Sequence, residues 1–134
     1  MIAFVIPIKV TSEYSLNNMS RAGVANTRKK KGIEEATIYA MMAAGIKRRQ
    51  IERPVEIKIS YDSQLDIDNH GYINKAIIDA LKDYLLSDDN KNHVVRLITE
   101  FWDGRDIKVE IRELDNGVPA PSKRKARRRN GVPR

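Results

Sequence analysis

The chain has 134 residues, enough for one domain around one core and too few for two. An apolar content of 41% suits a folded globular chain, and the absence of cysteine excludes disulfides, zinc–thiolate centres and thiol nucleophiles. The net charge of +7 arises wholly after residue 116, because residues 117–134 hold seven basic side chains and no acid while the first 116 hold 18 of each sign.

Residues 2–10 read as a strand with Ile2, Phe4, Ile6 and Ile8 on one face, and Pro7 suits a strand end or an edge. This N-terminus has neither a basic n-region nor a small-residue cleavage site, so it is not read as a signal peptide. Residues 11–32 are polar and read as a long loop containing a basic cluster, Arg28, Lys29, Lys30 and Lys31. A helix is predicted over 33–46, with Glu34 and Glu35 in its first turn, Gly45 near its end and Lys47, Arg48 and Arg49 beyond. The longest apolar run, Ala36 to Ile46, is too short to cross a bilayer, so no membrane association is expected, and the absence of cysteine makes an intracellular, cytoplasmic location the default expectation.

VEIKISY, residues 55–61, alternates apolar and polar side chains, which predicts a strand with one buried and one wet face. A second helix is predicted over 72–86, its broad apolar face made by Ile73, Ala76, Ile77, Ile78, Ala80, Leu81, Tyr84 and Leu85. Residues 93–102 and 105–113 then read as a hairpin turning at Asp103-Gly104. The expected fold is α+β: a small mixed sheet with two helices, in the order β-α-β-α-β-β, over residues 1–116. Residues 117–134, including Lys123, Arg124, Lys125, Arg127, Arg128 and Arg129, are expected to be a disordered basic tail attracted to polyanions without regard to sequence.

Acidic residues concentrate between Asp62 and Asp89, where seven aspartates face only Lys75 and Lys82. Clustered like charge costs stability unless a cation compensates it. Asp66 and Asp68 flank Ile67 just after the predicted strand, and in extended backbone residues i and i+2 point the same way. Asp88-Asp89 follows the second helix. Should these carboxylates converge, oxygen ligands without thiolates suit Mg²⁺ or Mn²⁺, the metals of phosphodiester hydrolysis. The bland alternative makes Asp68 or Asn69 a helix cap, Asp88-Asp89 a turn and Lys75–Asp79 an ordinary i,i+4 pair. His70, near the aspartates, could touch metal-bound water, although an exposed loop histidine is commoner. Trp102 and Tyr72 could stack on bases, against core or turn packing as the usual fate of such residues.

LDIDN (65–69), KAIIDAL (75–81) and LSDDN (86–90), in that order, resemble the motifs of the RusA family of Holliday junction resolvases, over roughly residues 1–114. The resemblance implies a RusA-like fold and a homodimer that resolves four-way DNA junctions by paired symmetric nicks with Mg²⁺, in recombination and repair. It also implies that Asp66, Asp68 and Asp89 hold the metal, that Lys75 is the catalytic lysine and that Asn69 supports them. The spacing departs from the family: six residues separate Asp68 from Lys75 where the family has three, and the segment from Lys75 to Asp89 is one residue shorter. Arg28–Lys31 and the basic tail are candidate phosphate contacts. The N-terminal strand and the Ala/Met-rich run Ala40–Ala44 offer material for a dimer interface. A non-catalytic nucleic-acid-binding module, or an inactive resolvase relative, is the competing reading.

Overall fold

The computed structural model describes residues 1–16, 18, 24–86 and 93–115. These form an α+β arrangement of strand β1 (Ile2–Ile6), helix α1 (Val24–Ala43), strand β2 (Val55–Tyr61), helix α2 (Gly71–Tyr84), strand β3 (Val94–Phe101) and strand β4 (Ile107–Glu113). Short 3-10 turns occupy Ser12–Tyr14 and Ile67–His70. The four strands make one mixed sheet in the order β1-β4-β2-β3. No helix among the described residues is long and apolar enough to cross a membrane.

Three expectations are corrected. First, the segment read as a loop up to residue 32 is helical from Val24. Its Ala, Arg and Lys residues are good helix formers, but buried positions are sparse before Ile33, so the apolar period begins late. Arg28–Lys31 is therefore a helical stretch. From Ile33 on, α1 buries Ile33, Thr37, Ala40 and Met41, one stripe at helical spacing. Ala40 and Met41 thus serve the core of their own chain, while Met42 is exposed. The helix stops at Gly45, whose φ of 78° suits glycine. Gly45 N–H donates to Met42 O and Ile46 N–H to Met41 O, the paired bonds of a Schellman cap.

Second, β3 and β4 do not pair as a hairpin. β3 runs parallel to β2, and β4 lies antiparallel between β2 and β1. β4 presents Ile107, Val109 and Ile111, all essentially inaccessible to water, whereas Leu97 and Phe101 of β3 stay half exposed. The strand with the more complete apolar face takes the interior position, where burial stabilises more. Residues 102–106 therefore pass over the carboxyl end of β2. Trp102 N–H donates to Tyr61 O, and Arg105 N–H donates to the Asp62 carboxylate. Five residues can span the two inter-strand gaps, roughly 10 Å in all. Trp102 lies so close over Gly104 that a Cβ there would overlap its ring, and the positive φ of the turn falls on Arg105, at 73°. Trp102 Nε1 donates to Asp106 O, so this aromatic locks the crossing.

Third, the polar face of β2 is drier than expected: Glu56 and Ser60 are buried, and only Lys58 between them stays partly exposed. An interior strand receives neighbours on both sides, and here Arg96 and Arg112 close over Glu56 at 2.6 and 3.2 Å. Burial works to raise the Glu56 pKa, but Arg112 and Arg96 outweigh it and hold the carboxyl below its usual range. Across the other face the core joins Ile57, Ile59 and Tyr61 to Ile73, Ala76, Ile77 and Leu81 of α2.

Candidate functional site

β2 and β3 run parallel with α2 between them in sequence, a β-α-β unit. Its carboxyl end is the usual place for a ligand crevice in such units. The turn that leaves β2 there carries Asp66 and Asp68.

The backbone of this turn is not the extended run expected. Asp66 is extended (φ −61°, ψ 154°), but Ile67–His70 is a 3-10 turn that leads directly into α2. The i,i+2 argument for a common facing therefore does not apply, since a 3-10 turn rotates successive side chains by ~120°. Both carboxylates are exposed. Asp66 makes no side-chain cap bond, although its backbone carbonyl accepts from Asn69 N–H. The capping alternative for Asp68 or Asn69 is not realised either, because His70 holds the N-cap position of α2 and no side-chain cap bond is made there.

What distinguishes Asp66 and Asp68 is the fate of the other aspartates in the acidic window. Asp62 accepts from Arg105 N–H. Asp79 binds Lys30 at 2.8 Å and lies 3.9 Å from Lys75. Asp83 pairs with Arg48 at 3.7 Å. Among the described residues, neither Asp66 nor Asp68 has a side-chain hydrogen bond or an ion pair. The amino end of α2, just beyond, favours negative charge by its dipole and offsets part of their repulsion. Two uncompensated carboxylates on one short turn suit a hard divalent cation.

Among the described residues no group of three His, Asp or Glu side chains is close enough to hold a metal. The third predicted ligand, Asp89, lies outside the described residues, as does Asp88. Leu86 and His93, which bound residues 87–92, are described. Leu86 bridges Ile51, and His93 O accepts from Val55 N–H, so both flanks sit at the amino end of β2. Asp66 and Asp68 stand at the carboxyl end. β2 and α2 are each about 20 Å long, so the described residues on either side of 87–92 stand at the opposite end of β2 from Asp66 and Asp68.

Lys75 lies in the second turn of α2 with two thirds of its side chain exposed, and it pairs with Asp79. It forms no ion pair with Asp66 or Asp68. The i,i+4 pair of the bland alternative is therefore present, though at 3.9 Å on an exposed amine it is a weak tie. Of the four basic residues proposed for phosphate contact on α1, Lys30 is engaged by Asp79 and Glu34, whose hydrogen bonds raise its pKa despite partial burial. Lys29 lies near Glu13 at 3.5 Å. Arg28 and Lys31 remain exposed with no ion pair among the described residues. Lys123, Arg124, Lys125, Arg127, Arg128 and Arg129 lie outside the described residues.

His70 is not an exposed loop residue, and both of its ring nitrogens are engaged by protein atoms. It is fully buried, stacked on Tyr61 at 4.1 Å with the Phe101 ring edge-on at 5.8 Å. Its Nδ1 meets Ile67 O at 3.0 Å and its Nε2 meets Ser63 Oγ at 2.7 Å. A carbonyl only accepts, so Nδ1 carries the proton and the Ser63 hydroxyl donates to Nε2. Ile67 O lies between Asp66 and Asp68, so His70 ties both ends of the segment that presents them. Beside it, Tyr61 Oη donates to Asn74 Oδ1 at 2.5 Å and Asn74 Nδ2 to Thr99 Oγ1 at 2.9 Å. Burial drives the Tyr61 pKa far upward, which keeps it a donor. His70 belongs to the residues that separate Asp68 from Lys75. No sequence period marks it, because its partners come from β2, β3 and the turn itself.

Comparison with protein families, curated proteins and solved structures returns no match for this chain.

Proposed function

We propose that this chain is a metal-dependent endodeoxyribonuclease of the RusA kind, which resolves four-way DNA junctions by paired symmetric nicks in recombination and repair. The observation that carries the reading is the isolation of Asp66 and Asp68. They are the two described aspartates of the acidic window left without a compensating partner, at the carboxyl end of a parallel strand pair. The resemblance in LDIDN, KAIIDAL and LSDDN supplies the reaction class, and the geometry is compatible with it.

Asp66 and Asp68, with Asp89, would hold Mg²⁺ or Mn²⁺. Such an ion supplies polarisation of the scissile phosphate and a more acidic attacking water. Lys75, tethered only loosely, offers an ammonium to a phosphate oxygen as charge grows on it. Arg28 and Lys31 offer exposed cations to the DNA backbone, and residues 117–134 add a sequence-blind attraction. A four-way junction has near two-fold symmetry, so paired nicks call for a homodimer with two such centres.

The test is cleavage of labelled four-way junction and matched duplex with Mg²⁺, Mn²⁺ or EDTA. The expected result is metal-dependent nicking of the junction, abolished or nearly so in Asp66→Asn, Asp68→Asn and Asp89→Asn, with junction binding retained. Tight binding without cleavage under any metal overturns the nuclease reading and leaves a nucleic-acid-binding module. Wild-type rates in all three variants overturn the site.

A further inference from the structure

β3 is an edge strand of eight residues without Pro or Gly, and Leu97 and Phe101 on it remain 41% and 50% exposed. A long edge of this kind is a ready template for another strand. The opposite edge, β1, has five residues and runs up to Pro7, a poorer template. The register with β2 divides the side chains of β3 between two faces. Leu97, Thr99 and Phe101 stand with Ile57, Ile59 and Tyr61 on the helix side; Arg96, Ile98 and Glu100 stand with Glu56, Lys58 and Ser60 on the other.

This pattern is complementary to itself. Place a two-fold axis perpendicular to the sheet at Ile98, and β3 of a second copy runs antiparallel beside the first. Arg96 then faces Glu100 of the other copy on one side of the sheet, twice by symmetry. On the other side Leu97 faces Thr99, and the exposed apolar side chains of the two copies form a common strip. No like charges oppose each other. Cross-strand opposite-charge and apolar pairs are the units that stabilise a sheet.

We infer that β3 is the homodimer interface, joining two copies of this chain into one eight-stranded sheet through antiparallel β3–β3 pairing about Ile98. The inference takes up the two-fold assembly proposed above and adds its geometry. All helices lie on one face of the joined sheet. The amino end of each β3 abuts the carboxyl end of the other, so each turn bearing Asp66 and Asp68 lies close to the interface rather than at a remote end of the molecule.

The chain has no cysteine, which makes a single-site cross-link decisive. Directly opposed residues of an antiparallel pair have Cα atoms roughly 4.5 or 5.5 Å apart, both within disulfide range. Ile98→Cys should form a disulfide-linked dimer under mild oxidation, whereas Glu35→Cys, on the exposed side of α1, should stay unlinked. Light scattering of the unmodified chain should give twice 15.3 kDa. Glu100→Arg, which sets Arg against Arg96 twice, should weaken dimerisation by roughly tenfold. A dimeric mass without cross-linking of Ile98→Cys overturns this interface and leaves the two-fold reading standing. A monomer at micromolar concentration, with junction present, overturns both.

Discussion

Ser63→Ala tests whether the buried imidazole organises the turn that carries Asp66 and Asp68. The change deletes one oxygen. It removes the 2.7 Å bond to His70 Nε2 and the weaker 3.3 Å bond accepted from Leu65 N–H, and it leaves Nε2 buried without a partner. An orphaned buried acceptor costs about 1–3 kcal/mol, and because Ser63 is only part-buried we place this case near ~1.5 kcal/mol. For a domain of this size that is a fall in Tm of roughly 4–7 °C. The second effect concerns the site. With the ring free to turn, Ile67 O loses its fixed donor and the two aspartates lose their common frame. Outer contacts of this kind are worth about 10–100-fold in metal affinity. Thermal unfolding followed by circular dichroism reads the first effect, and a Mn²⁺ titration of the folded protein reads the second. Ser63→Thr keeps the hydroxyl and should restore most of both. A Ser63→Ala protein with unchanged Tm and unchanged Mn²⁺ affinity would refute the reasoning.

Glu56→Gln should destabilise the domain at neutral pH by about 1–3 kcal/mol, since the half-exposed Arg96 and Arg112 heads retain some solvation after losing their carboxylate. Because the folded-state pKa of Glu56 is depressed, its contribution is present above the unfolded carboxylate value and lost as pH falls through the folded one. Unfolding curves from neutral to acid pH should therefore converge for wild type and Glu56→Gln, and a constant difference down to pH 2 would contradict the assignment. Deleting residues 117–134 should weaken binding to junction and duplex alike and flatten the salt dependence, with cleavage at saturating protein largely kept; loss of junction preference with unchanged duplex affinity would make the tail a specific reader. Asp66→Asn and Asp89→Asn proteins, each inactive, should regain nicking when mixed and allowed to exchange, because antiparallel β3 pairing brings the amino end of one β3 to the carboxyl end of the other. Failure of the mixture to cleave, with exchange demonstrated, would place the three aspartates within one chain.

Local pattern in the sequence determined a good part of this molecule. The 3.6-residue period of Ile73, Ala76, Ile77, Ala80, Leu81 and Tyr84 specified α2 and the face it buries, because a helix displays its neighbours at i+3 and i+4 wherever it packs. VEIKISY and the alternating Ile107, Val109 and Ile111 specified strands for the same local reason. The clustering of aspartates, and Asp66 and Asp68 within it, was equally visible. Tertiary structure decided what those elements do. Asp103-Gly104 between two strands is a hairpin signal, yet β4 left its neighbour for the sheet interior, because strand order follows competition for burial across the whole sheet. Glu56 and Ser60 are polar in an alternating strand and still buried, since occupancy of both edges of β2 is a property of its neighbours. His70 carries no sequence signal at all: a ring stacked on Tyr61 and bonded to Ser63 exists only once β2, the turn and α2 are assembled. Which aspartates remain uncompensated likewise depends on partners up to 49 positions away, as Lys30 is from Asp79, and no window of sequence contains both.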